Sequence, residues 1–244
     1  MADHVELRLA EGIREIYFDR QKKKNALTLA MYTEAAQALR DAAENDDVRV
    51  VLLAGKGPHF TAGNDLLDFM QNPPTGEESP VFEFLMALRQ CPKPVVVAVE
   101  GYAIGIGTTL LIHCDLAWAS ATARFRMPFV DLGLVPEAGS SVALAAMAGH
   151  RRAAELLLLG EFFDATVAHD VGLINGIAED VIDHARQRCK ALAAKPPEAL
   201  QLTKSLMRRA DDEVVGEAML KEAEIFVERL QSQEFMAAVA AFQG

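Results

Sequence analysis

Val95-Val96-Val97-Ala98-Val99, bracketed by Pro94 and Gly101, is an unbroken run of β-branched and small apolar residues. It offers no alternating polar position, so a strand formed from it is buried on both faces, as in a parallel sheet covered on each side by helices. A second β-branched run, Val48 to Leu53, ends at Gly55-Lys56-Gly57-Pro58, and Leu116 to Ala119 reads as a further short strand. Between them the apolar period changes. Thr28 caps a stretch with apolar residues at Leu29, Tyr32, Ala35, Ala36 and Leu39, the spacing of a helix that ends near Asn45. Phe82 to Leu88 reads the same way, as does a stretch through Thr108, Leu111 and Ile112. Ahead of them all, Val5 to Leu9 and Ile13 to Phe18 alternate apolar with polar residues about Glu11-Gly12 and predict a two-residue hairpin. Strand and helix alternate in this way in an α/β core.

From about Asp180 the pattern becomes helical, over 182–194, 197–210, 213–230 and 233–242. The chain is therefore expected to divide into an α/β core over 1–190 and a helical C-terminal region over 191–244, whose apolar faces need a partner. Half of the 244 residues are hydrophobic, which is ample for one core. The net charge of −11, with no basic run beyond Lys22-Lys23-Lys24, excludes a nucleic-acid or anionic-membrane surface. Cys91, Cys114 and Cys189 lie far apart, which suggests neither a disulfide frame nor a metal site. Met1 to Glu6 shows no basic-then-apolar leader, Phe242-Gln243-Gly244 is no peroxisomal signal, and no apolar stretch is long enough to cross a bilayer. A cytoplasmic location is expected. Pro73-Pro74-Thr75-Gly76 has the composition of a mobile loop, and such loops often cover a site.

Two segments follow buried strands, where α/β folds place ligands: Phe60-Thr61-Ala62-Gly63-Asn64-Asp65-Leu66 and the glycine-punctuated turn Gly101-Tyr102-Ala103-Ile104-Gly105-Ile106-Gly107. Glycine turns can direct backbone N–H groups outward, and two that converge form an oxyanion hole; they serve purely structural ends as readily. A dinucleotide fingerprint fails at its third glycine, where Leu110 stands, and no phosphate-loop Gly-Lys-Ser/Thr occurs. Met127 to Ser141 is apolar apart from Asp131 and Glu137. Among Leu134, Val135 and Ala138, Glu137 is either a desolvated general base or an acidic residue in the first turn of the following helix. Asp131 is either a turn former or a second acid. His113-Cys114-Asp115 points in three directions at a helix end, which makes it a structural triplet rather than a ligand set. Ser140-Ser141 lacks the Gly-x-Ser-x-Gly elbow of a hydrolase.

Taken in order, Asn25-Ala26-Leu27, Phe60 to Leu66, Lys93-Pro94-Val95 through Gly107, Cys114-Asp115 and Pro128 through Gly139 resemble the crotonase superfamily, the enoyl-CoA hydratase/isomerase family, over essentially the whole chain. The resemblance implies a spiral of ββα units with a helical C-terminal region, a homotrimer or pair of trimers held partly by the last helices, and an acyl-coenzyme A thioester as ligand. It implies no cofactor beyond the coenzyme A that the substrate carries. It assigns the oxyanion hole to the N–H groups of Asn64 and Ile106, the coenzyme A site to Lys24, Ala26, Ala62, Asp65 and Leu66, and an acyl-site wall to Phe129. Where the hydratases that this chain resembles carry two glutamates, Thr109 and Phe129 stand here, and neither moves a proton as a carboxylate does. Pro136-Glu137-Ala138-Gly139 instead resembles the motif of Δ3,Δ2-enoyl-CoA isomerases, in which this glutamate is the single base. The alternatives are a hydratase, a thioester hydrolase or an isomerase of ring-derived CoA esters, or else an acyl-CoA-binding protein without turnover.

Overall fold

Glu11 and Gly12 both take positive φ, 52° and 75°. That conformation matches the right-handed twist of flanking strands, and it folds β1 (Val5–Ala10) back on β2 (Ile13–Phe18) with Ala10 opposite Ile13. The computed structural model describes residues 4–209 and 212–243. Met1 to Asp3, Ala210 and Gly244, on which the expected chain start, the end of the 197–210 helix and the terminus fall, lie outside them. Thr28 caps α1 (Leu29–Glu44) by accepting from Met31 N, and the helix buries Met31, Tyr32, Ala35, Ala36 and Leu39.

β3 (Val50–Gly55) then runs parallel to β2, and α2 (Leu66–Gln71) and α3 (Pro80–Gln90) lead to β4 (Val95–Val99). Beyond β5 (Tyr102–Ile104) and α4 (Ile106–Thr109) come β6 (Leu116–Ala119), β7 (Arg124–Arg126), α5 (Ser140–Ala148) and α6 (His150–Ala154). β8 (Phe163–Asp164), α7 (Ala165–Asp170), β9 (Gly176–Ile177) and α8 (Val181–Ala193) follow. The larger sheet has the order β1-β2-β3-β4-β6-β9, and every pair from β2 onward is parallel. Each residue of β4 is fully buried. Val95, Val97 and Val99 face the α1 and α3 side, whereas Val96 and Ala98 face a second core completed by Val181, Ala185 and Cys189 of α8. The expected division at residue 190 falls inside α8.

A second sheet, β5-β7-β8, stands beside the first. Residues 101–107, predicted to be a turn, contain β5, which pairs in parallel with β7. The strand-strand-helix sequence recurs as β1-β2-α1, β4-β5-α4 and β6-β7-α5, with the second strand of the last two units diverted to the small sheet. The last helices are α9 (Pro197–Arg208), α10 (Asp212–Arg229) and α11 (Gln233–Gln243). α10 lies on α5, and α11 lies on the turn Val130–Leu132, so the chain's own C-terminal helices roof the segment that carries Glu137.

Candidate functional site

The loops that follow β3 and β4 are laced together. Thr61 N donates to Tyr102 O at 2.9 Å, and Ile104 N donates to Thr61 O at 3.1 Å. Two glycines permit the close approach: a Cβ on Gly63 would lie 2.7 Å from Ile104 O, and one on Gly107 would lie 2.5 Å from Thr61 Cγ2. Gly105, at φ 55° and ψ −119°, turns the chain into α4. Asn64 is fixed by its neighbours, since Leu27 N donates to Gly63 O and Asp65 N to Leu27 O, both at 2.8 Å, while Tyr32 Oη donates to Asn64 Oδ1. The N–H groups of Asn64 and Ile106 donate to no other described residue. Two such amides therefore stand on neighbouring loops that are tied together by backbone hydrogen bonds.

Beside them opens a cavity of about 300 Å³, lined by Lys24, Ala62, Asn64, Leu66, Gly105 and Phe129, among others. Lys24 takes a left-handed conformation at φ 49° and rests its ammonium 5.0 Å from the centroid of Tyr102, itself stacked on His59. Ala26 and Asp65 are not in the cavity wall. The Asp65 carboxylate is engaged elsewhere: it caps α2 through Leu67 N and Asp68 N and pairs with Arg20 at 2.5 Å. Burial would raise its pKa, but these partners hold it below the ordinary carboxylate range. Ile106 is wholly buried and lies behind the cavity wall formed by Ile104 and Gly105.

Glu137 borders a smaller cavity of about 40 Å³ with Phe69, Phe82, Leu85, Met219 and Phe226. Phe69 and Phe226 belong to both walls, so the two spaces adjoin. Pro74 and Gly76 of the Pro73–Gly76 loop reach this wall, where a covering loop was expected. Glu137 is only 7% exposed, and its Oε1 has no hydrogen-bond partner. Burial pushes its pKa up to about 8, with the Glu222 carboxylate raising it further and the Thr109 hydroxyl drawing it down. The glutamate is not in the first turn of α5, which begins three residues later after Ala138 and Gly139, both left-handed at φ 62° and 69°.

That turn is pinned from two sides. His113 is buried and lowered to about 4 mainly by burial, hence neutral, and its Nε2–H donates to Ala138 O at 2.8 Å. Glu222 of α10 accepts from Gly139 N at 2.6 Å, from Ser141 N at 2.9 Å and from Ser141 Oγ. Neither role is visible in the sequence, where His113 reads as structural and Glu222 as one acid among many in an amphipathic helix. Asp115 does hold structure, accepting from Val95 N and pairing with Lys204 at 2.6 Å. Asp131 pairs with Arg126 at 2.8 Å. Thr109 and Phe129 are buried, and Phe129 faces the larger cavity.

A spiral of strand-strand-helix units with a helical roof, and a ligand cavity at the carboxyl ends of β3 and β4, defines the crotonase fold. Within that class the chain belongs to the enoyl-CoA hydratase/isomerase family, whose pattern matches residues 8–243. Over 95% of its length it is 35% identical to enoyl-CoA delta isomerase 2 of Homo sapiens, and it spans 61% of that protein. It is 34% identical to 1,2-epoxyphenylacetyl-CoA isomerase of Escherichia coli, covering 85% of this chain and 81% of that one. A solved structure, OdaA of Pseudomonas aeruginosa, superposes with a TM-score of 0.96 at 45% identity, covering 99% of each chain.

Proposed function

We propose that the protein moves the double bond of a 3-enoyl-CoA to give the trans-2-enoyl-CoA, with Glu137 as its single base. The carrying observation is a carboxylate with a free oxygen, buried at an apolar cavity that adjoins the one lined by Asn64. Glu137 takes a proton from C2, and the electrons released run to the thioester oxygen. The resulting dienolate is held by the N–H groups of Asn64 and Ile106, where loss of one such donor costs about 3 kcal/mol of transition-state stabilisation. The same carboxyl then returns the proton to C4, so the C3–C4 double bond becomes C2–C3 with no atom gained or lost. The rings of Phe69, Phe82 and Phe226 keep water from the dienolate and so disfavour hydration of the product. Lys24, Ala62 and Leu66 meet the coenzyme A portion, with Lys22 and Lys23 within reach of its phosphates and Ala26 and Asp65 supporting the loop. No cofactor is consumed.

The Glu137→Gln variant keeps size and loses the base. It is expected to bind acyl-CoA normally and to turn over 3-enoyl-CoA at least a hundredfold more slowly, about the contribution of a positioned base; undiminished turnover would remove Glu137 from the reaction. A second reading is favoured by the ring-lined cavity and by the Escherichia coli relative, namely isomerisation of a ring-derived CoA ester. Product analysis with linear and ring-derived CoA esters side by side separates the two.

A further inference from the structure

We propose that Glu222, reaching down from α10, is the positioning residue of the Glu137 base: its carboxylate grips the main chain beside Glu137 and supplies the charge that Glu137 faces. This rests on Glu137 being the base. The inward face of α10 presents Val215, Met219, Glu222 and Phe226 at helical spacing, a stripe of apolar residues interrupted by one carboxylate. Gly139 is packed so closely beneath that a Cβ on it would lie 2.7 Å from Val215 Cγ1. Packing alone would be served by leucine or methionine at position 222, without the cost of burying a charge. Among the described residues, every hydrogen bond that the Glu222 carboxylate makes comes from Gly139 or Ser141. Its bonds thus fall on two residues just after Glu137-Ala138 in the chain, while neutral His113 holds the Ala138 carbonyl.

The charge has a second effect. Around Glu137 stand Glu222 from α10, the Tyr32 hydroxyl from α1, the Thr109 hydroxyl from α4 and neutral His113 from the turn after α4. Arg89 of α3 and Arg208 of α9 act on His113. The other cavity neighbours from α2 and α3, Phe69, Phe82 and Leu85, are apolar. Of two neighbouring carboxyls, the one with more donors ionises first. Burial raises Glu222 as well, but the donors of Gly139 and Ser141 oppose that, whereas Glu137 has only Thr109. Glu222 therefore carries the negative charge, and Glu137 keeps a raised proton affinity suited to taking a proton and giving it back.

Carboxyl-carbon NMR titration of the full chain tests this directly, with the Glu137 signal identified by its loss in Glu137→Gln. In Glu222→Gln, which keeps the size and one acceptor but not the charge, the Glu137 midpoint is expected to fall, and the acidic limb of the kcat/KM profile to fall with it. Glu222→Met, which suits the apolar stripe, is expected to fold and to lower kcat at least tenfold with KM nearly unchanged. A Glu137 midpoint that does not move in Glu222→Gln, or wild-type kcat in Glu222→Met, overturns the proposal. Failure of the isomerase reading is seen separately, as full turnover by Glu137→Gln, because the titration reports on Glu137 whether or not it is the base.

Discussion

A carboxyl that ionises near pH 8 is protonated in most molecules at neutral pH, so a reaction that needs its ionised form speeds up as pH rises. The acidic limb of kcat/KM for 3-enoyl-CoA is therefore expected near pH 8, several units above that of an exposed glutamate, and a limb near 4.5 would place the working base elsewhere. The same shift has a sign in stability. The folded pKa lies above the unfolded one, so the folded state holds the extra proton between about pH 4.5 and 8, and stability declines as pH climbs through that window. Each pKa unit of difference is worth about 1.4 kcal/mol. Glu137→Gln cannot ionise and should melt above the wild type at pH 9 but not at pH 4, with about 2–4 °C for each kcal/mol in a chain of this size; equal melting curves at both pH values would contradict the burial. The segments that hold Glu137, Asn64 and Ile106 were legible in the sequence because each is a short local motif. Tyr32, His113 and Glu222 were not, because the groups they hold lie 32, 25 and 83 residues away, and no local period carries that information.

Legibility also depended on the length of each element. β1 to β4 and α1 could be read because a run of five or more residues displays its period, and the Glu11-Gly12 turn because its conformation demands particular residues. β5, β7, β8 and β9 have only two or three residues each, too few to show alternation, and the small sheet of β5, β7 and β8 was missed for that reason, as was β9 at the edge of the larger one. Yet β5 is what ties the two amide-bearing loops together. Gly63 guards that junction, with φ 87° and Ile104 O placed where a Cβ would come within 2.7 Å. Gly63→Ala is expected to push the loops apart and misplace the Asn64 amide. Loss of one such donor costs about 10²–10³ in kcat, so a fall toward that range is expected, with melting lowered and acyl-CoA binding weakened less. A variant with unchanged kcat would show that the junction does not set the amides.

At the scale of the molecule, apolar surface remains uncovered although the core is complete. On α9, Leu202, Leu206 and Met207 are 58%, 69% and 75% exposed, while the one buried residue of that helix is Lys204, paired with Asp115. Leu158, Leu159 and Phe162 form a second exposed apolar group. Isolated apolar side chains on a surface are ordinary, but a helix whose leucines point outward and whose lysine points inward is arranged for a neighbour. α10 and α11 cover the chain's own site, so α9 is free to meet another copy. We propose the homotrimer, and sedimentation velocity should return a particle of three times the 26.5 kDa chain, or six times if trimers pair. Leu206→Glu puts a charge at the centre of the α9 group without touching the site. Glu137, Asn64 and Ile106 belong to the same chain, and the dissociated variant is expected to retain Glu137-dependent turnover while sedimenting as a smaller species. A variant that stays assembled would place the interface on another surface, and one that dissociates with all activity lost would show that a neighbouring copy holds the site in shape.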